Sequence, residues 1–66
     1  MKNTIKVERA KKNITQEELA KMTDVSRQTI NAIETKRYTP SAILAIKIAG
    51  VFEVSVHDIF ELEEND

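Results

Sequence analysis

The chain has 66 residues, of which 41% are hydrophobic and 32% are charged, and it contains no cysteine. These values are typical of one globular domain and exclude a disulfide framework and a thiolate metal site. The first twelve residues contain no continuous apolar stretch. We therefore expect neither a signal peptide nor a membrane span, and we expect a cytoplasmic protein.

Charge is distributed unevenly along the chain. The net charge is -1, but residues 1–38 hold nine basic and five acidic residues, whereas residues 39–66 hold one basic and six acidic residues. Such a charge dipole steers the basic end toward a polyanion and keeps the acidic end away from it. A chance asymmetry on a solvated surface explains the same distribution equally well, so charge alone does not decide the function.

Helix signals recur through the first half of the chain. A thin apolar stripe predicts a first helix over about residues 3–12. Thr15 begins a capping box that predicts a second helix to about residue 23. Ser26 is the next capping residue, and it opens a third predicted helix that runs to about residue 34.

Two more helices are predicted in the second half. Thr39 followed by Pro40 is a start signal because proline suits the first helical position, and a fourth helix is expected to about Phe52. Ser55, with an aspartate three residues later, starts a short fifth helix to about Phe60. The expected fold class is therefore all-α, a compact five-helix domain over residues 1–66.

Two features of the second half allow more than one interpretation. The final residues, ELEEND, are either a frayed tail or, because Phe60 and Leu62 alternate with glutamates, a short edge strand. Gly50 is the only glycine, and inside a helix it costs about 1 kcal/mol relative to alanine. Either another backbone approaches it closely or the chain simply tolerates it.

The second and third predicted helices form a helix-turn-helix over about residues 16–34. In that motif the second helix of the pair lies in the major groove. Its inner side carries Ile30 and Ile33. Arginine binds guanine bidentately, and glutamine and asparagine do so with adenine, so polar residues on the outer side predict base reading. These residues are Ser26, Arg27, Gln28, Thr29 and Asn31.

A family resemblance is carried by the segments Thr15–Ala20, Val25–Ile30, Ile33–Glu34, Pro40, Val54–Val56 and Asp58–Phe60. With these residues the chain closely resembles the Cro and phage-repressor type of helix-turn-helix protein, the XRE family, from Ile5 to Phe60. The resemblance implies a lambda-repressor-like domain that binds double-stranded DNA and regulates transcription.

The resemblance also implies roles for individual residues. The base-reading positions it matches are Arg27, Gln28 and Asn31. The positions that lie along backbone phosphates are Gln16, Lys36, Arg37 and Tyr38. Arg9 and Glu34 match an internal salt bridge between the first and third helices, so we assign both to the structure rather than to DNA.

The chain departs from the family at several turns, where the family often has glycine. Asn13 and Asp24 stand at two of these turns, and both residue types tolerate left-handed backbone. Thr35 or Lys36 stands at a third, and Glu53 at a fourth; threonine and glutamate are less favourable there. Ile43 replaces a usually polar residue, which indicates either a partner contact or a single exposed apolar side chain.

An enzymatic or metal-dependent function lacks the necessary residues. His57 is the only histidine, and it has no obvious set of catalytic or metal-binding partners. A single glycine excludes phosphate-loop and dinucleotide fingerprints. We expect a non-enzyme without metal, cofactor or small-molecule ligand.

Two functions of different class remain. The first is a sequence-specific DNA-binding regulator, a repressor that binds a near-palindromic operator as a homodimer. The second is an antitoxin-like or anti-repressor module that binds another protein on the same scaffold, which the acidic tail and Ile43 support. The polar outer side of the third helix favours the first.

The dimer contact is expected in residues 54–63. One such domain covers only a half-site, and the third helix faces DNA, so the contact must come from the acidic second half. Residues 60–63 could also pair as a strand across the two-fold axis. The alternative is that Ile59 and Phe60 close the monomer core. The expected interface residues are Val56, Ile59, Phe60 and Leu62.

Overall fold

A computed structural model describes all 66 residues, with five α-helices and one two-stranded sheet, and it confirms the expected fold class. No helix is long and apolar enough to span a bilayer, since the longest has ten residues. In chain order the elements are β1 (Lys2–Asn3), α1 (Ile5–Lys12), α2 (Gln16–Thr23), α3 (Arg27–Glu34), α4 (Ala42–Val51), α5 (Val56–Ile59) and β2 (Phe60–Glu61).

Side-chain caps begin the two helices of the central motif. Thr15 Oγ1 accepts a hydrogen bond from the Glu18 amide at 3.0 Å, and the Glu18 carboxylate accepts one from the Thr15 amide at 2.9 Å. Ser26 Oγ accepts from the Thr29 amide at 3.1 Å. Each bond engages an amide at the helix start that has no acceptor four residues earlier within the helix, which is why both helices begin where the sequence predicts.

The predicted start of α4 at Pro40 is wrong by two residues. Pro40 is buried before the helix, and Ser41 is the capping residue, whose hydroxyl accepts from the Leu44 amide at 3.1 Å. A serine oxygen can satisfy an unpaired helix amide and proline cannot, so the cap sets the boundary.

Eleven apolar residues form the buried core between the helices. Ile59 and Phe60 belong to it, with only 1% and 6% of their surface exposed. These two were expected in the dimer interface, and that expectation is corrected: both side chains pack inside the monomer. Met22 of α2 does not belong to the core and is exposed. The core consists of Ile5, Leu19, Ala20, Ile30, Ile33, Leu44, Ala45, Ile48, Ala49, Ile59 and Phe60.

The carboxyl-terminal tail does form a strand, but its partner is the amino-terminal strand of the same chain. β1 and β2 pair antiparallel, with Lys2 opposite Glu61 and Asn3 opposite Phe60. Asn3 also donates from Nδ2 to the carbonyl of Ile33 at 2.9 Å, which fastens β1 to the end of α3. The sheet thus ties both chain ends to the helical core.

An ionic cluster joins the two chain ends; we call Met1, Lys36, Glu63 and Asp66 the chain-end cluster. The Met1 amino group lies 2.9 Å from Asp66 Oδ2 and 3.2 Å from Glu63 Oε1, and Lys36 Nζ lies 3.3 Å from Glu63 Oε1. The hydrogen bond to Asp66 raises the pKa of the Met1 amino group. The hydrogen bond from that amino group lowers the pKa of Glu63, and the Glu63 amide lowers the pKa of Asp66.

Four non-glycine residues have left-handed backbone, and Gly50 does not. Asn13, Asp24, Lys36 and Glu53 have φ between 56° and 64°, so Lys36 rather than Thr35 occupies the third turn. A Cβ added at Gly50 would meet nothing within 4 Å. Close approach of another backbone therefore does not explain this glycine, and simple tolerance does.

Candidate nucleic-acid interface

The connection between α2 and α3 is short and ordered. Asp24 adopts φ 60°, and the Val25 amide donates to the carbonyl of Ala20 at 3.0 Å. Left-handed backbone at this position reverses the chain after α2 and satisfies its last carbonyls. Because the turn is closed by hydrogen bonds, the orientation of α3 against α2 is determined before any ligand binds.

One face of α3 is buried and the opposite face is available to a ligand. Ile30 and Ile33 are buried. With 100° between successive residues, the direction opposite this pair is occupied by Gln28, Asn31 and Ala32. Arg27 and Thr29 flank that direction. These five residues are the outer face of α3, and the term is used for them below.

Four of the five predicted base-reading residues lie on this face, and two of them make no side-chain hydrogen bond within the chain. Arg27 and Gln28 are exposed at the amino end of α3. The Ser26 and Thr29 hydroxyls lie 3.0 Å apart, and Ser26 also caps the helix, so both are engaged locally. Asn31 Oδ1 accepts from Arg37 Nη2 at 2.9 Å. Arg27 and Gln28 are therefore the side chains most free to reach a base edge.

Ala32 also lies on the outer face, but it was not predicted as a base-reading residue because only polar side chains were considered. It is half-buried and lies between Gln28 and Thr29 around the helix. A small apolar side chain in the major groove can contact the methyl group of thymine. Helical periodicity rather than polarity would have identified this position.

The predicted phosphate-binding residues divide into two groups. Gln16 is the first residue of α2, where amides without helical acceptors suit an anion, and its Nε2 donates to Glu34 Oε1 at 3.2 Å. Arg37 and Tyr38 are exposed in the loop after α3. Lys36 lies in the same loop, but its ammonium group is engaged by Glu63 of the chain-end cluster.

Arg9 and Glu34 form a bidentate ion pair between α1 and α3. Arg9 Nε lies 2.7 Å from Glu34 Oε2, and Nη2 lies 3.1 Å from Oε1. Arg9 also donates to the carbonyl of Ile14 at 3.1 Å, and the Glu34 side chain is only 7% exposed. The pair joins α1 to the last residue of α3 and so stabilises the position of α3.

The comparisons with known proteins agree with this geometry. The helix-turn-helix family model matches residues 5–59. An uncharacterized HTH-type transcriptional regulator of Methanocaldococcus jannaschii is 54% identical over 66 residues, which are 100% of both chains. One from Archaeoglobus fulgidus is 50% identical over 100% of this chain and 93% of its own. YgzD of Bacillus subtilis is 44% identical over 100% of both chains. The chain belongs to the helix-turn-helix family.

Membership of this family, of the XRE type, makes the chain a DNA-binding transcription regulator of a class without enzymatic activity. In a helix-turn-helix protein the second helix of the motif is the one that enters the major groove. That helix is α3 here. No group of three or more metal-ligating side chains is present in the structure.

Proposed function

We propose that this helix-turn-helix regulator is a cytoplasmic repressor that binds a near-palindromic operator as a homodimer. The observation that best supports sequence-specific binding is the outer face of α3, where Arg27 and Gln28 are exposed and have no side-chain hydrogen-bond partner. Such side chains at the amino end of a recognition helix make bidentate contacts with guanine and adenine.

Phosphate contacts would orient the domain on the duplex. We assign them to the start of α2 at Gln16 and to the loop residues Lys36, Arg37 and Tyr38. The start of α2 has amides without helical acceptors, and the loop after α3 carries cations, so both elements present groups that attract phosphate. Phosphate binding of this kind is independent of sequence and falls with salt.

A groove beside α5 supports the homodimer. It lies between the start of α4, α5 and β2, and Leu62 at its edge is 72% exposed. Leu62 and half-buried Val56 keep their proposed role in the interface, while Ile59 lies in the core and the largely buried Phe60 lines the groove from the core side. The lining residues are Met1, Pro40, Ala42, Ala45, Val56, His57, Phe60, Glu61 and Leu62.

Selection of bound duplexes from a random library tests the DNA-binding proposal. We expect an enriched site made of two inverted half-sites about one helical turn, or 34 Å, apart. Binding to a genomic promoter that carries this site, with transcription rising when the gene is deleted, would support repression. A library from which no site is enriched would contradict sequence-specific binding.

Sedimentation equilibrium at micromolar concentration tests the dimer. The intact chain should dimerise, and Leu62→Lys should be monomeric because a charge would be buried in the interface. Ile43→Lys is the matched control, since Ile43 is 69% exposed on α4 but lies outside the groove. An intact chain that stays monomeric both alone and on a palindromic duplex would rule out the dimer.

A protein-binding function has one supporting observation, the exposed apolar side of α4. Ile43 and Ile46 are 69% and 62% exposed on that helix. An antitoxin-like or anti-repressor module would use such a surface for its partner. The library selection separates the two functions, because a module that binds only protein would enrich no DNA site.

A further inference from the structure

The side chain of Asn31 is held in one orientation by a neighbour. Its Oδ1 accepts a hydrogen bond from Arg37 Nη2 at 2.9 Å. A guanidinium group has only donors, so the amide must present its oxygen, and not its nitrogen, to Arg37. The Nδ2 group is therefore the part of Asn31 that remains available to another molecule.

The loop after α3 places Arg37 beside Asn31. The amides of Arg37 and Tyr38 both donate to the carbonyl of Ala32, at 2.8 and 3.2 Å, which folds the loop back onto the last turn of α3. Within this fold, Arg37 Nε donates to Thr35 Oγ1 at 3.0 Å.

Thr35 completes the arrangement by anchoring it to the helix. Its hydroxyl donates to the carbonyl of Asn31 at 2.8 Å. The planar guanidinium is thus held at two points, by Thr35 through Nε and by Asn31 through Nη2. A lysine at this position would keep the charge but could not bridge the two oxygens with the same rigid geometry.

This orientation changes which base Asn31 can read. Bidentate recognition of adenine requires the amide oxygen to accept from N6 while the amide nitrogen donates to N7. With Arg37 held against the oxygen, the adenine amino group would have to share that oxygen with a fixed cation. An amide that presents only its N–H groups instead fits guanine, which offers two adjacent acceptors, O6 and N7, or thymine through O4. Adenine offers one acceptor, N7, beside an amino group that needs an acceptor itself, so it is the poorer match.

We propose that Arg37 is a positioning residue that sets the base preference of Asn31 to guanine or thymine rather than adenine. The inference rests on the proposed sequence-specific binding and adds to the phosphate contact proposed for Arg37. It assigns part of the specificity to a residue outside the recognition helix.

Selection from a random library with four proteins tests the inference. Asn31→Ala identifies the base pair that Asn31 reads, because only there should the preference of the wild-type protein disappear. At that base pair the wild-type protein should select guanine or thymine over adenine. Arg37→Lys should shift the preference toward adenine by about fivefold or more, corresponding to the discrimination of one bidentate contact. Lys36→Ala, the control, should weaken binding without changing the preference.

Three results would overturn the inference: a wild-type preference for adenine at this base pair, an unchanged preference in Arg37→Lys, or no position that changes in Asn31→Ala. Each of these leaves sequence-specific binding itself intact, because a site is still enriched. A wild-type library with no enriched site would instead contradict the proposed function.

Discussion

Glu34 connects three helices through three side-chain hydrogen bonds. Two come from Arg9 of α1, and the third comes from Gln16 of α2, which donates to the same Oε1 atom that Arg9 Nη2 contacts. Gln16 is also a proposed phosphate ligand. The carboxylate therefore positions a proposed phosphate ligand as well as the helix that carries the proposed base-reading residues.

Removing this carboxylate should destabilise the fold. Glu34→Ala leaves the largely buried Arg9 without its partner, so we expect the free energy of unfolding to fall by about 3 kcal/mol. In a domain of this size that is a large part of the total stability. Urea denaturation measures the loss. Glu34→Gln keeps an acceptor of the same shape and should lose less; an unchanged midpoint in Glu34→Ala would contradict the structural role.

Glu53 is the turn residue whose replacement should stabilise the fold. Its φ of 56° is costly for a side chain other than glycine, asparagine or aspartate. Glu53→Asn should raise the free energy of unfolding by about 0.5 kcal/mol, because asparagine hydrogen-bonds locally in this conformation. Glu64→Asn removes the same charge from an exposed tail residue whose backbone is not left-handed, and it should have no comparable effect. A thermal midpoint that rises equally in both variants would assign the gain to charge.

At the scale of elements, Ser26 connects helix formation to binding. Ser26→Ala removes the cap of α3 and should cost about 1 kcal/mol of stability. Ser26→Asp retains an acceptor for the Thr29 amide and should keep most of that stability, but its charge would repel phosphates and weaken DNA binding. Thermal melts and DNA titrations on the two variants measure these effects. Equal stability of wild type and Ser26→Ala would show that the cap is unimportant.

The elements that were predictable are those set by local interactions. Thr15 and Ser26 satisfy amides three residues away, so their pattern in the sequence was sufficient to place α2 and α3. β1 could not be predicted, because its two residues pair with residues 60 and 61 at the other end of the chain. Burial of Ile59 and Phe60 likewise depends on packing between distant segments.

In the candidate site, too, some features could be predicted from the sequence and others depend on contacts between distant segments. The polar residues of α3 could be recognised from their spacing, and the Arg9–Glu34 pair followed from the family resemblance. The hydrogen bonds of Asn31 with Arg37 and of Lys36 with Glu63 depend on how the loop and the tail fold. Ala32 was missed because a choice based on polarity passes over alanine.

At the scale of the whole molecule, the chain-end cluster makes stability depend on pH. The raised pKa of the Met1 amino group means that its contribution is complete below about pH 8 and is lost as pH rises through the raised value. The lowered pKa values of Glu63 and Asp66 mean that their contribution to stability is complete above about pH 4.5 and is lost as pH falls through the lowered values.

We therefore expect the cluster to stabilise the fold most between about pH 5 and 7.5. Thermal melts of wild type and of a Glu63→Gln, Asp66→Asn double variant should differ most near pH 6. The difference should shrink toward pH 3 and, in part, toward pH 10, where Lys36 still pairs with Glu63. A Glu64→Gln variant controls for tail charge. A difference that is constant from pH 3 to 10 would contradict the cluster's ionic contribution.

The central claim is that the outer face of α3 reads base sequence, and affinities for selected and random duplexes test it most directly. Arg27→Ala and Gln28→Ala should each lose about 1–3 kcal/mol on the selected site and almost nothing on random DNA. Lys36→Ala should weaken binding to both and reduce the salt dependence. Equal losses on selected and random DNA for all three variants would contradict base reading by α3.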